Sequence, residues 1–174
     1  FVASDLAPAY TAMEFHVGPA FIASISAVVL GILVAYKLYF NAEKDPLGAN
    51  LDRIQIIKGW VDEYGDTNEK IIDVVWAGDR EIDPDTGKLP AVGNTVDLTT
   101  ALYTNDIGAP MLMGSWTDTD FNPQSKAFYY ARALEIPTPR WTTYDAVRNG
   151  LPLLENVPAT IQERAWGSPI WYSN

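Results

Sequence analysis

Between Val17 and Tyr36 the chain carries no charge for twenty residues, VGPAFIASISAVVLGILVAY. A helix rises about 1.5 Å per residue, so this stretch is long enough to cross a hydrocarbon core of about 30 Å. Phe15 and His16 precede it; Tyr36, Lys37, Tyr39 and Phe40 follow as an aromatic and snorkelling collar. The pattern predicts a transmembrane helix over 17–40. A core helix of this length would carry a polar face. A signal peptide would carry a basic start and a cleavage site, and neither is visible. Ala23, Ala27, Gly31 and Ala35 recur every fourth residue, a small-residue stripe that lets another helix backbone approach closely. Ile22, Ile25, Val29, Ile32 and Leu33 fall on the opposite side, which suits lipid. The stripe favours docking into a larger membrane assembly over simple tethering.

Past residue 40 the period changes from helical to alternating. Leu51–Val61 sets Ile54 and Ile56 against Arg53 and Gln55, and Glu69–Trp76 is rich in β-branched residues. The Gly65–Asn68 segment between them has turn chemistry, so the pair predicts a hairpin. Further turns fall at Asp83–Gly87 and Gly93–Asn94. Strands are predicted at Thr95–Thr104, Ala109–Thr117, Ala127–Leu134 and Ala165–Tyr172, with a short helical turn at Tyr144–Gly150. The chain therefore divides into a tail (1–16), a transmembrane helix (17–40), a linker (41–50) and a β-rich domain (51–174). The expected fold is mainly β: an antiparallel β-sandwich or open barrel preceded by one transmembrane α-helix. Six tryptophans are the expected large pieces of its core.

Charge and composition narrow the chemistry. The 174 residues carry 22 acids against 12 bases, a net charge of −10, which argues against a nucleic-acid partner. The acidic balance also disfavours adhesion to anionic headgroups. There is no cysteine, hence no disulfide, thiolate nucleophile or Cys-based metal site. The one histidine, His16, excludes sites needing two imidazoles. At the membrane edge it could ligate a haem or chlorophyll, but an interfacial histidine hydrogen-bonded to water or headgroups is expected. Asp83-x-Asp85-x-Gly87 resembles the start of a calcium loop, yet Asn94 stands where its bidentate acid belongs, so a plain turn is expected. Asp118 and Asp120 form a possible carboxylate pair in a polar loop, expected to be solvated. Ser115, Ser168 and Ser173 lack a base in the domain. Arg132, Arg140 and Arg164 are expected to pair with Glu135 and Glu163. No catalytic residue, metal site or cofactor is assigned.

Four segments carry a family resemblance: KDPLGANLDRIQIIKGW (44–60), LPAVGNTVD (89–97), FYYARALEIPTPRWTTYDA (128–146) and TIQERAWGSPIWY (160–172). In order and spacing they resemble the C-terminal end of the bacterial domain-of-unknown-function family number 3604. Its members look like exported relatives of PHP-type metal-dependent phosphoesterases, with their metal-binding histidines and acids in a large N-terminal part. The resemblance implies a fold and an ancestry, and it carries no catalytic residue onto this sequence. The segment ISAVVLGILVAYKLYFNAEKDPL is faintly similar to late membrane helices of the antiporter-like subunit of respiratory complex I, which suggests a membrane helix in place of the family's catalytic part; the architecture makes a photosynthetic or respiratory complex the natural host.

The leading expectation is a non-catalytic, single-pass accessory subunit of the bacterial inner membrane, partnered by integral membrane subunits and the lipid bilayer. Exported relatives favour a periplasmic domain, while Lys37, Lys44, Arg53 and Lys58 after the span favour a cytoplasmic one. The alternative is the C-terminal piece of a metal-dependent hydrolase whose catalytic part lies upstream or on another chain. A third reading exposes Trp and Tyr to a carbohydrate or lipid, against the simpler view that those rings are buried.

Overall fold

A computed structural model describes residues 13–16 and 36–173. Of the predicted membrane span over 17–40, the part over 17–35, with the packing residues Ala23, Ala27, Gly31 and Ala35, lies outside them. The fold is mainly β and all its strand pairs are antiparallel. Strands β1 (Met13–His16), β2 (Tyr36–Glu43) and β5 (Met111–Asp118) form one sheet in the order β1-β2-β5. A second sheet runs β10-β6-β3-β4, from β3 (Leu51–Val61), β4 (Thr67–Trp76), β6 (Ala127–Glu135) and β10 (Ile170–Tyr172). Strand β9 (Arg164–Trp166) also pairs with β6. A small ladder joins β7 (Thr138–Pro139) to β8 (Thr160–Ile161), and one helix, α1 (Trp141–Asn149), lies between them in sequence.

The end of the predicted membrane helix is corrected. Residues 36–40 belong to β2, and the strand continues through the first part of the expected linker. The reason is period: Leu38, Phe40 and Ala42 are buried, while Lys37, Tyr39 and Glu43 are exposed. The aromatic collar after the apolar run is thus an alternating strand, whose inward face enters the core. Among the described residues no helix is long and apolar enough to cross a membrane.

One core serves both large sheets. Leu38, Phe40 and Ala42 of β2 and Leu112 of β5 pack with Leu51, Ile54 and Ile56 of β3 and Ala127, Tyr129, Ala131 and Ala133 of β6. The alanines of β6 let the facing sheet approach, and Phe40 and Tyr129 fill the space. The tryptophans are not its centre: Trp60 and Trp116 pack against its margin. Trp60, Trp76 and Trp116 are half-buried, and Trp141, Trp166 and Trp171 are exposed. Size alone does not bury a ring when its strand parity turns it outward.

Most predicted elements are present. The hairpin of β3 and β4 closes through Asp62, whose carboxylate accepts the N–H groups of Tyr64 and Asp66. Two expectations fail. Thr95–Thr104 is a loop with a single Asp97–Leu102 bridge, because Asp97 accepts from Thr99 N, Thr99 Oγ1 and Thr100 Oγ1 and bends the chain locally. The last predicted strand is two, β9 and β10, separated by Gly167-Ser-Pro169, where proline supplies no ladder donor. The helix starts at Trp141, ahead of the predicted Tyr144, and ends on Gly150 in the left-handed region at φ 63°.

Candidate functional site

Three places gather polar chemistry. The first is a buried hub at Asp52, which has no exposed surface. Its carboxylate accepts Arg53 Nε at 2.9 Å, Arg80 Nη2 at 2.7 Å and Gln162 Nε2 at 2.8 Å. Arg80 also donates to the carbonyls of Asp52, Ala77 and Pro90, and Gln162 donates to the carbonyl of Glu135. Asp52, Pro90, Glu135 and Gln162 come one each from the four sequence segments that carry the family resemblance. The hub is where those segments meet. Its donors and acceptors are mutually satisfied, which is the chemistry of a structural staple.

Glu135 lies beside that hub at the end of β6 and is almost fully buried. Burial, followed by the nearby Glu163, pushes its carboxyl up to about 7; Lys44 opposes the shift and Asp45 adds to it. The expected ion pairs of Arg132, Arg140 and Arg164 with Glu135 and Glu163 are absent among the described residues. Arg132 instead donates to Gln55 Oε1 on the neighbouring strand. The guanidinium Nε of Arg140 is buried without a hydrogen-bond partner.

The third place is a cleft of about 510 Å3 at the end of β3, bounded by the turn after β3 and the β5–β6 loop. Lys58 and Tyr129 are direct cross-strand partners on β3 and β6. Both face inward, and both reach Asp118 at the end of β5. Lys58 Nζ is 2.6 Å from Asp118 Oδ2, and the Tyr129 hydroxyl donates to that same oxygen at 2.6 Å. Lys58 also donates to the Asp120 carbonyl at 3.1 Å, and its ammonium stands 5.2 Å from the centre of the Trp60 ring. At the rim, Lys70 Nζ donates to Asp120 Oδ2 at 3.0 Å, and this contact holds the Asp120 carboxyl below its usual range. Phe121 and Asn122 complete the wall.

The sequence-predicted candidates divide accordingly. Asp118 is buried and ion-paired, so the expected solvated carboxylate pair is corrected; Asp120 is the exposed member. Their backbone turn separates the roles, with Asp120 N donating to Asp118 Oδ1. Asp83 Oδ1 accepts Asp85 N and Thr86 N, so the calcium-like stretch is an ordinary turn. His16 is the last residue of β1, in register with Tyr39. Among the described residues no group of three or more His, Cys, Asp or Glu is placed to hold a metal ion. The Lys58–Asp118–Tyr129 centre escaped sequence reading. Its one available signal was a lysine sharing the inward parity of Ile54 and Ile56.

The outer face of the five-stranded sheet is aromatic. Phe128 and Tyr130 of β6 stack nearly parallel at 6.3 Å, and Trp171 of β10 meets Phe128 at 5.3 Å. Trp166 of β9 stands opposite Arg132. Gly59 of β3 lies beneath Phe128, where a Cβ would overlap the ring.

A family model described as "Protein of unknown function (DUF3604)" matches residues 31–174. The match begins at Gly31, inside the apolar run. No curated protein and no solved structure matches the chain.

Proposed function

The chain belongs to the DUF3604 family of proteins of unknown function, and from that premise we propose that it is a non-catalytic accessory module that works docked on a larger partner. One observation carries this reading: Trp166 and Trp171 are 60% and 73% exposed on one sheet face that also presents Phe128 and Tyr130. Large rings left in water on a domain with a separate, complete core are the composition of a protein interface. The two sheets, packed through one core, act in this reading as a β-sandwich scaffold that holds that face flat.

The partner we infer is a metal-binding catalytic part of the kind the family resemblance implies, on the same protein or on another chain. The match favours it, because it enters the apolar run at Gly31 and covers β2 without a break. The membrane reading rests on the uncharged stretch over 17–36 and on the stripe Ala23, Ala27, Gly31 and Ala35. In it the partners are integral membrane subunits and the bilayer of the bacterial inner membrane, with the domain periplasmic. A pull-down from native membranes in mild detergent, read by mass spectrometry, separates the two. A metal-binding hydrolase polypeptide retained by the native chain and lost from the Trp166→Ala/Trp171→Ala variant supports the first. Retention in carbonate-washed membranes with integral subunits supports the second. Migration as a lone, carbonate-extractable monomer whose polypeptide carries no metal-binding part refutes both.

A further inference from the structure

The cleft beside Lys58 has a use that the accessory reading leaves open. We propose that it binds a neutral carbohydrate. Its volume of about 510 Å3 lies within the range of small-ligand sites.

Charge decides the ligand class. Lys58 is neutralised by Asp118 and Lys70 by Asp120. Asp62 and Glu63 also line the cleft and have no cationic partner among the described residues, so the cavity is net acidic. It therefore repels phosphates, sulfates and uronates. The acyl chain of a lipid would strand these charges in an apolar contact, at a cost no acyl group could offset. A polyhydroxyl ligand meets both conditions, being uncharged and able to donate and accept at once.

The hydrogen-bonding capacity fits. The Lys58 ammonium has three donors, and two are directed at Asp118 and the Asp120 carbonyl, leaving one. Asn122 uses its carbonyl oxygen to accept Gln124 N, which leaves its amide N–H groups to donate. Asp120 is exposed and accepts from Lys70 through Oδ2 and from the Thr119 side chain, and a carboxylate with two oxygens has acceptor capacity beyond these bonds. Trp60 provides apolar surface against which the C–H face of a sugar ring packs, beside Phe121, whose ring is held in an edge contact with Tyr172. Lys58 and Asp118 fix this arrangement because both are buried and mutually paired, so the donors are set before a ligand arrives.

The test is a titration of the full chain with soluble neutral oligosaccharides (cello-, xylo-, malto- and chito-pentaose), followed by tryptophan fluorescence and by calorimetry. Saturable binding to at least one, weakened about tenfold or more by Asn122→Ala and by Asp120→Ala, is the expected result. Both residues are exposed, so circular dichroism should show an unchanged fold. Absence of binding to all four overturns the proposal, as does binding that the two variants leave unchanged. Preferential binding of inorganic phosphate or of phosphatidylcholine vesicles also overturns it. Loss of partner docking in the Trp166→Ala/Trp171→Ala variant leaves this site intact, so the two proposals fail separately.

Discussion

Replacing Glu135 by Gln removes an ionisable carboxyl from a buried position while keeping its shape. The native carboxyl is raised from its ordinary 4.5 to about 7, chiefly by burial and then by Glu163. The folded state therefore holds a proton that the unfolded chain has already released between about pH 4.5 and 7. Stability from this group is fully present below the unfolded value and is lost as pH rises through the folded one. A difference of about 2.5 pH units would be worth about 3.5 kcal/mol at most, at about 1.4 kcal/mol each. Local relaxation around the ionised carboxylate reduces this to on the order of 1–2 kcal/mol. Urea melts of the native chain and of Glu135→Gln across this range should be compared as differences, so that the other carboxylates cancel. The variant should gain on the native protein as pH rises from about 4.5 to about 7, by about 1–2 kcal/mol in all, and the difference should level off above that. A difference that stays flat with pH would refute the assignment of a buried, proton-holding Glu135.

Three further outcomes follow from the packing. Asp118→Ala leaves the Lys58 ammonium buried without its carboxylate and should cost about 3–5 kcal/mol in chemical denaturation, while Lys58→Met/Asp118→Leu should recover most of the loss. Gly59→Ala drives a methyl into the Phe128 ring and should cost about 1–3 kcal/mol, an effect that a Phe128→Leu background should reduce. Trp171→Ser sits on the outer face and should change thermal stability by no more than about 0.5 kcal/mol, measured by differential scanning calorimetry. A large loss there would place Trp171 in the core rather than at a contact surface.

The strands that could be read from the sequence are those whose alternation is framed by turns. Ile54 and Ile56 against Arg53 and Gln55 marked β3, and the Gly65–Asn68 turn chemistry marked its partner. Strand β2 was hidden because its first residue continues an apolar run, so a helical reading absorbed the alternation of Leu38, Phe40 and Ala42. The tryptophans misled for a different reason. Hydrophobic size predicts burial only after strand parity is known, and Trp166 and Trp171 have outward parity on β9 and β10. The cleft was less legible still. Lys58 and Asp118 are sixty residues apart, and only the pairing of β3 with β6 and the end of β5 brings them together. The family segments were readable as words, but their common meeting point at Asp52 is a property of the three-dimensional arrangement.

The Asp52 hub sets the order in which the domain can assemble. Gln162 reaches Asp52 across 110 residues of chain, and closing a loop of that length costs about 4 kcal/mol of entropy before any contact compensates it. The hairpin of β3 and β4, joined by a short turn, faces a far smaller closure cost and forms first. Asp52 is carried on that hairpin, so its carboxylate waits with Arg53 at hand until the C-terminal segment arrives. A ribosome-bound chain that has not yet exposed Gln162 would hold the hairpin but not the complete hub. The segment around Gln162 thus acts as a closing latch of folding, and protease resistance of the domain should rise only once that segment has docked on Asp52.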